Sequence, residues 1–262
     1  MQGSDQDSPS AIALQWATLL SILAAIGVNA ISNLFPPTGL TIGAIANTIL
    51  GGVLVTPANY AFSIWGVIYL GLIAFGIYQV LPSQRYNPRL RLLRAPIFWA
   101  SVFQMIWVFL FQFQRFWFSV PFMLGILLSL VIAFRRSYAQ ENRLSRREKW
   151  FTRIPISIYF GWISVATVVN VASALYAYNW DGFDISPIIW TVIMSLIAAA
   201  IAVVIALFYR NVAFPLVIVW ALVAIAVRQA TEPAIVITEI GLTIGLILLT
   251  LLTQVRFGQK LR

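Results

Sequence analysis

The stretch TRIPISIYFGWISVATVVNVASALY, residues 152–176, decides the fold. It is long and apolar enough for a helix to cross a bilayer, which takes about 20 residues. Leu, Ile and Val alone would satisfy lipid, yet this run also holds Trp162, Ser164, Thr167 and Asn170. An α-helix advances about 100° per residue, so Tyr159, Ala166, Asn170 and Ser173 fall within about 80° of Trp162. Ser164 and Thr167 point away from that face, as contacts to neighbouring helices would. One side of this helix therefore offers a Trp, a Tyr and an amide to something other than lipid.

The rest of the chain repeats the pattern. It has 262 residues, 61% hydrophobic and 10% charged, against about 25% charged in an ordinary soluble domain. Mean hydropathy is +0.89. The chain reads as an all-α, polytopic membrane helix bundle. Eight spans are expected, near 11–34, 58–81, 95–113, 117–135, 152–176, 187–208, 212–229 and 233–255. Residues 1–10 lack the basic n-region of a signal peptide, so the first run is expected to be a retained helix. Ser186-Pro187 reads as an N-cap followed by Pro at N1.

Absences narrow the function. There is no Cys and no His, which excludes disulfides, thiolate catalysis and His-ligated haem or zinc. The sequence holds no acid pair, Ser-His-Asp set, phosphate-binding loop or metal cluster, so no enzyme chemistry is indicated. A net charge of +9 raises the question of nucleic acid. The basic residues sit between apolar spans, however, which is the membrane pattern and not a nucleic-acid footprint.

Those basic residues also orient the chain. Arg85, Arg89, Arg91 and Arg94 fall in 82–94. Arg135, Arg136, Arg143, Arg146, Arg147, Lys149 and Arg153 fall in 135–153. Arg210 follows the sixth span, and Arg256, Lys260 and Arg262 end the chain. Eight spans put all of these on one side and leave only Arg115 and Arg228 on the other. By the positive-inside rule both termini and the Arg-rich loops are expected on the cytoplasmic (or stromal) side, facing anionic headgroups.

Residues 36–57, PPTGLTIGAIANTILGGVLVTP, carry no charge at all. Gly39, Gly43, Gly51 and Gly52 weaken a helix there, and little chain remains to turn into the next span. A lid or re-entrant segment packed on protein is expected in preference to a ninth span.

Two more helices show aromatic faces. PANYAFSIWGVIY, residues 57–69, sets Phe62, Trp65 and Tyr69 within about 60°. FQMIWVFLF, residues 103–111, does the same with Gln104, Trp107 and Phe111. Amides at membrane depth are costly against lipid, so Gln104 and Asn170 should face protein, water or ligand. Glu239 reads as an interfacial residue near the start of the last helix, Arg228 and Glu232 bracket the preceding turn as a pair, and Gly241–Gly245 is a GxxxG that permits close helix packing.

The fifth-span pattern, Tyr159-x-x-Trp162-x-Ser164-x-Ala166-Thr167-x-x-Asn170, resembles the last-helix motif of the tryptophan-rich sensory protein/translocator protein (TspO/MBR) family. Pro57, Trp65 and Tyr69 resemble that family's second helix, and Gln104, Trp107 and Phe111 its third. Here Gln104 stands for the family's Asn, and Phe-Ser-Ile-Trp for its Gly-Pro-Val-Trp. The resemblance implies a five-helix bundle over 1–180, with 36–57 as the lid of its pocket; 181–262, three further membrane helices, are an addition to the family's pattern. It implies an aromatic-lined pocket for a porphyrin- or sterol-like molecule, often in a homodimer. Residue by residue it points to Trp65, Tyr69, Trp107, Tyr159, Trp162 and Asn170 as ligand-binding. No cofactor is required; a tetrapyrrole would be a ligand, metal-free or ligated through oxygen. A small-molecule transporter and an assembly partner of a larger complex are the alternative readings.

Overall fold

A computed structural model describes residues 9–139 and 145–259. The described residues form helices joined by turns and loops, with no strand among them. In chain order come α1 (Pro9–Leu34), α2 (Ile42–Asn47), a 3-10 turn (Asn59–Ser63) leading into α3 (Ile64–Val80), α4 (Pro88–Gln112) and α5 (Phe116–Tyr138). After them come the single turn α6 (Arg146–Glu148), a π turn (Lys149–Arg153) leading into α7 (Ile154–Ala177), then α8 (Pro187–Tyr209), α9 (Ala213–Arg228) and α10 (Pro233–Gln259). Arg143, Lys260 and Arg262, used above for orientation, lie outside the described residues.

Each of the eight expected spans is a helix. Among the described residues seven helical segments are long and apolar enough to cross a membrane, and large side chains such as Leu70, Phe208 and Ile237 are exposed, as lipid-facing positions are. The protein is an integral, multi-pass membrane protein. The seventh expected span is the exception in length. α9 has 16 residues, about 24 Å at 1.5 Å per residue, against a hydrocarbon core of about 30 Å. Its start is fixed by the side chain of Asn211, which accepts from Phe214 N–H at 2.8 Å.

The chain divides into two compact units, one of residues 1–42 and 65–160, the other of residues 43–64 and 161–262. In the first, α4 packs on α1 and α5. α4 begins at Pro88, seven residues before the expected third span. Asn87 caps it, its side chain accepting from Arg89 and Leu90 N–H groups. Ala95-Pro96 looks like a helix start in sequence, but Pro96 is carried inside α4. Arg89, Arg91 and Arg94 are thus helical and not in a loop, and Arg89 and Arg94 are buried. Arg94 donates from Nε to Gln79 Oε1 at 3.0 Å and from a terminal nitrogen to the carbonyls of Gln79, Gln84 and Arg85 at 3.3–3.4 Å. It therefore serves carbonyls at and just beyond the C-terminal end of α3, where a cation is favoured. Gln15 and Gln79 exchange side chain-to-backbone bonds at 2.6 and 2.8 Å. Glu148 closes a capping box with Ser145 and pairs with Arg89 at 3.4 Å.

In the second unit α8, α9 and α10 pack on one another. Residues 36–57 form no ninth span. They hold only the six-residue α2 and turns, with Ile45, Leu50, Val53 and Val55 buried. Buried irregular backbone needs protein partners, and the end of α9 supplies them. Arg228 donates to Asn47 Oδ1 at 2.7 Å and to the Ala46 carbonyl at 3.2 Å. Gln229 Nε2 donates to the Leu54 carbonyl at 2.8 Å, and Ala58 N–H to the Ala224 carbonyl at 3.0 Å. Arg228 is thus spent on the lid and not on Glu232 as expected. Glu239, in the second turn of α10, is fully buried; it accepts from Ser195 Oγ at 2.5 Å. A Cβ at Gly241 or Gly245 would meet nothing within 4 Å, so the GxxxG brings no helix close within this chain.

Candidate functional site

In the second unit, the C-terminal half of α7, the start of α8 and the lid enclose a partly open cavity of about 470 Å³. α7 contributes Val168, Val171, Ala172, Leu175 and Tyr176. Their i, i+3, i+4 spacing makes them one helical stripe, roughly opposite the face that carries Trp162 and Asn170. Thr167 lies at its edge. α8 contributes Pro187, Trp190, Thr191 and Met194, and the lid contributes Gly52 to Val55.

The loop between α7 and α8 shapes the mouth. Asp181 accepts from Phe183 N–H at 3.0 Å, the self-bonding turn typical of Asp. Gly182 takes φ of 71°, a left-handed conformation that glycine adopts without strain. Its carbonyl receives the Trp190 indole N–H at 2.9 Å. Ser186 then caps α8 at Ile189 N–H, with Pro187 at N1, as the sequence predicts. The outcome is that Trp180 and Trp190 stand together, ring centroids 5.5 Å apart and planes at 50°, on the wall of the cavity.

On the lid side, a Cβ added to Gly52 would lie 2.6 Å from Tyr176 Cε2. Only glycine lets the lid backbone come this close to the ring. The cavity is thus walled by aliphatic groups and three aromatic rings, with Thr167, Thr191 and Asp181 as sparse polar groups, the general constitution of a small-molecule pocket. A smaller void of about 20 Å³ shares Val55, Val168 and Met194 with it and reaches Ser195.

The first unit holds a different aromatic group. Trp65 lies 5.3 Å from Tyr69 and 6.0 Å from Tyr159, centroid to centroid. Gln104 ties the two tyrosines: its amide nitrogen donates to Tyr69 Oη at 3.3 Å, and its carbonyl oxygen accepts from Tyr159 Oη. Trp107 is buried against Phe111, centroids 5.2 Å apart, and Phe111 packs edge-on to Phe116.

Residues 15–252 match the family model for TSPO-like protein. The chain belongs to the TSPO-like family. The match runs through α8 and α9 and most of α10, so the last three helices lie inside the family's extent. No match to a curated protein or to a solved structure was found.

In this TSPO-like protein the six residues singled out from the sequence fall into two groups. Trp65, Tyr69, Trp107 and Tyr159 belong to the first unit; Gln104 joins Tyr69 to Tyr159, and the Trp65 ring packs on both. Trp162 and Asn170 belong to the second unit and are buried there. Trp162 packs edge-on against Phe62 at 6.0 Å, and its indole nitrogen is buried without a hydrogen-bond partner. None of the six lines the 470 Å³ cavity. Sequence reasoning missed Tyr176, Trp180 and Trp190. The signal was present in Trp180-Asp181-Gly182 and in the stripe 168, 171, 172, 175, 176, which an all-apolar run conceals.

Proposed function

We propose that this TSPO-like protein is a non-enzymatic binding protein for a bulky hydrophobic molecule, acting in its sensing, storage or transfer. The observation that carries this is the cavity of about 470 Å³ walled by Tyr176, Trp180, Trp190 and aliphatic side chains. Burial of apolar area stabilises such a complex by roughly 25 cal/mol per Å² before association costs. Tetrapyrroles and sterols, the classes the family resemblance implies, are the first ligands to try. The same proposal puts both termini and the Arg-rich segments on the cytoplasmic or stromal face, on the strength of the charge asymmetry.

The experiment is extraction. Protein purified in mild detergent is expected to release a lipophile, seen by absorption and mass spectrometry. Ala172→Trp, which fills the cavity from α7, is expected to release much less. Equal recovery from both proteins overturns the cavity as the binding site.

A second reading places the ligand at the residues the family motif marks, Trp65, Tyr69, Trp107, Tyr159, Trp162 and Asn170. The unpartnered indole N–H of Trp162 favours it, since a ligand acceptor would satisfy that donor. Trp162→Phe, which removes the donor and keeps most of the ring, then weakens binding, while Ala172→Trp does not. Flux of a solute in proteoliposomes separates either reading from a transporter, and co-purifying membrane proteins from an assembly partner.

A further inference from the structure

The chemistry of the cavity wall says which hydrophobic molecules it prefers. Its lining contains no Lys and no Arg, and one carboxylate, Asp181. One Asp181 oxygen accepts from Phe183 N–H, which fixes the side chain at the mouth. Beside it in sequence is Trp180, which stands against Trp190, and Tyr176 completes the aromatic wall. Ring faces carry negative potential and attract cations, most strongly in Trp. Behind the cavity, the small void reaches Ser195, whose hydroxyl is held by the only acid on α8, α9 or α10, Glu239. Asp181 is therefore the one charged side chain in the cavity lining.

We propose that the cavity selects a lipophilic cation, its charged head held between Asp181 and the rings of Trp180, Trp190 and Tyr176, and its apolar body against α7 and the lid. This rests on the cavity being the binding site. A carboxylate-bearing ligand, such as a porphyrin with propionate groups, would bring like charge to Asp181 and find no base to receive it. Neutral molecules of the same shape bind through burial alone.

Three probes of nearly equal shape separate charge from burial: tetraphenylphosphonium, tetraphenylsilane and tetraphenylborate. Their binding to the full chain is measured by equilibrium dialysis, each corrected for partition into detergent alone. The cation is expected to bind more tightly than the neutral probe, and the anion least. Asp181→Asn keeps an oxygen to accept from Phe183 N–H, so the loop is retained. It is expected to weaken the cation about fivefold and to leave the neutral probe unchanged. Trp180→Leu keeps an apolar wall without the quadrupole and is expected to weaken the cation more than the neutral probe. Ala172→Trp is expected to weaken all three. If Asp181→Asn leaves the cation unchanged, or the anion binds as tightly as the cation, the charge selection is wrong. If Ala172→Trp leaves the neutral probe unchanged, or no probe binds, the cavity reading itself fails.

Discussion

Gly52 and Tyr176 touch so closely that a Cβ at position 52 would lie 2.6 Å from the ring. The ring is the outer end of a half-exposed side chain, so it can swing aside. Gly52→Ala is therefore expected to fold, with thermal stability lowered only slightly, but to displace Tyr176 from the cavity and weaken ligand binding several-fold. Tyr176→Ala alone should also weaken binding. Adding Gly52→Ala to Tyr176→Ala should then cost nothing more, because the clash is gone. An affinity that falls additively in the double variant would show that Gly52 acts elsewhere.

Gln104 offers a second test, through its bonds to Tyr69 and Tyr159. Gln104→Leu leaves the buried Tyr159 hydroxyl without its acceptor, at a cost of about 1–3 kcal/mol. Tyr159→Phe in the same background removes the stranded hydroxyl and should recover much of that loss. Thermal unfolding in detergent reads both. If the two substitutions are additive, the amide and the hydroxyl are not coupled as the structure has them.

These two sites show what was legible in the sequence and what was not. Hydrophobic runs of bilayer length located every long helix, because lipid imposes that pattern on each span separately. Amides within those runs pointed to polar contacts, and Gln104 makes them. The start of α4 was concealed because Ala95-Pro96 imitates a helix start while Asn87-Pro88 provides it. The cavity was concealed for a deeper reason. Its α7 stripe of Val, Ala and Leu is indistinguishable from a lipid-facing stripe until the lid and α8 are seen against it. Trp180 lies in a loop and Trp190 in α8, and only the loop that turns at Gly182 brings them together.

Arg228 supports a third prediction. Its guanidinium holds Asn47 and the Ala46 carbonyl at 2.7 and 3.2 Å, so it fastens the lid to the end of α9. Hydrogen bonds to a charged group are worth about 1.5–3 kcal/mol. Arg228→Met keeps the apolar stem and loses the donors. Amide exchange over residues 43–50 should then quicken by about tenfold or more, with exchange in α4 and α5 unchanged. Unaltered protection over the lid would mean that the buried Ile45, Leu50 and Val53 hold it without the arginine.

The Ser195–Glu239 bond joins α8 to α10 in a part of the second unit where α8 has no charged residue of its own. A polar bond between membrane helices contributes about 0.6 kcal/mol on average, and the better ones up to roughly 1.7 kcal/mol. Ser195→Ala removes the donor and strands one more oxygen of a fully buried carboxyl, so it should lower the unfolding temperature measurably. Glu239→Gln keeps an oxygen for the Ser195 hydroxyl and should lower it less. Glu239→Leu with Ser195→Ala removes both partners and should be more stable than Ser195→Ala alone, since no unpaired carboxyl remains. The double-mutant cycle should give a coupling of about 1 kcal/mol. A coupling near zero would mean that Glu239 is satisfied by something other than Ser195, and would turn attention to the Thr243 hydroxyl one turn along α10, which is buried without a partner.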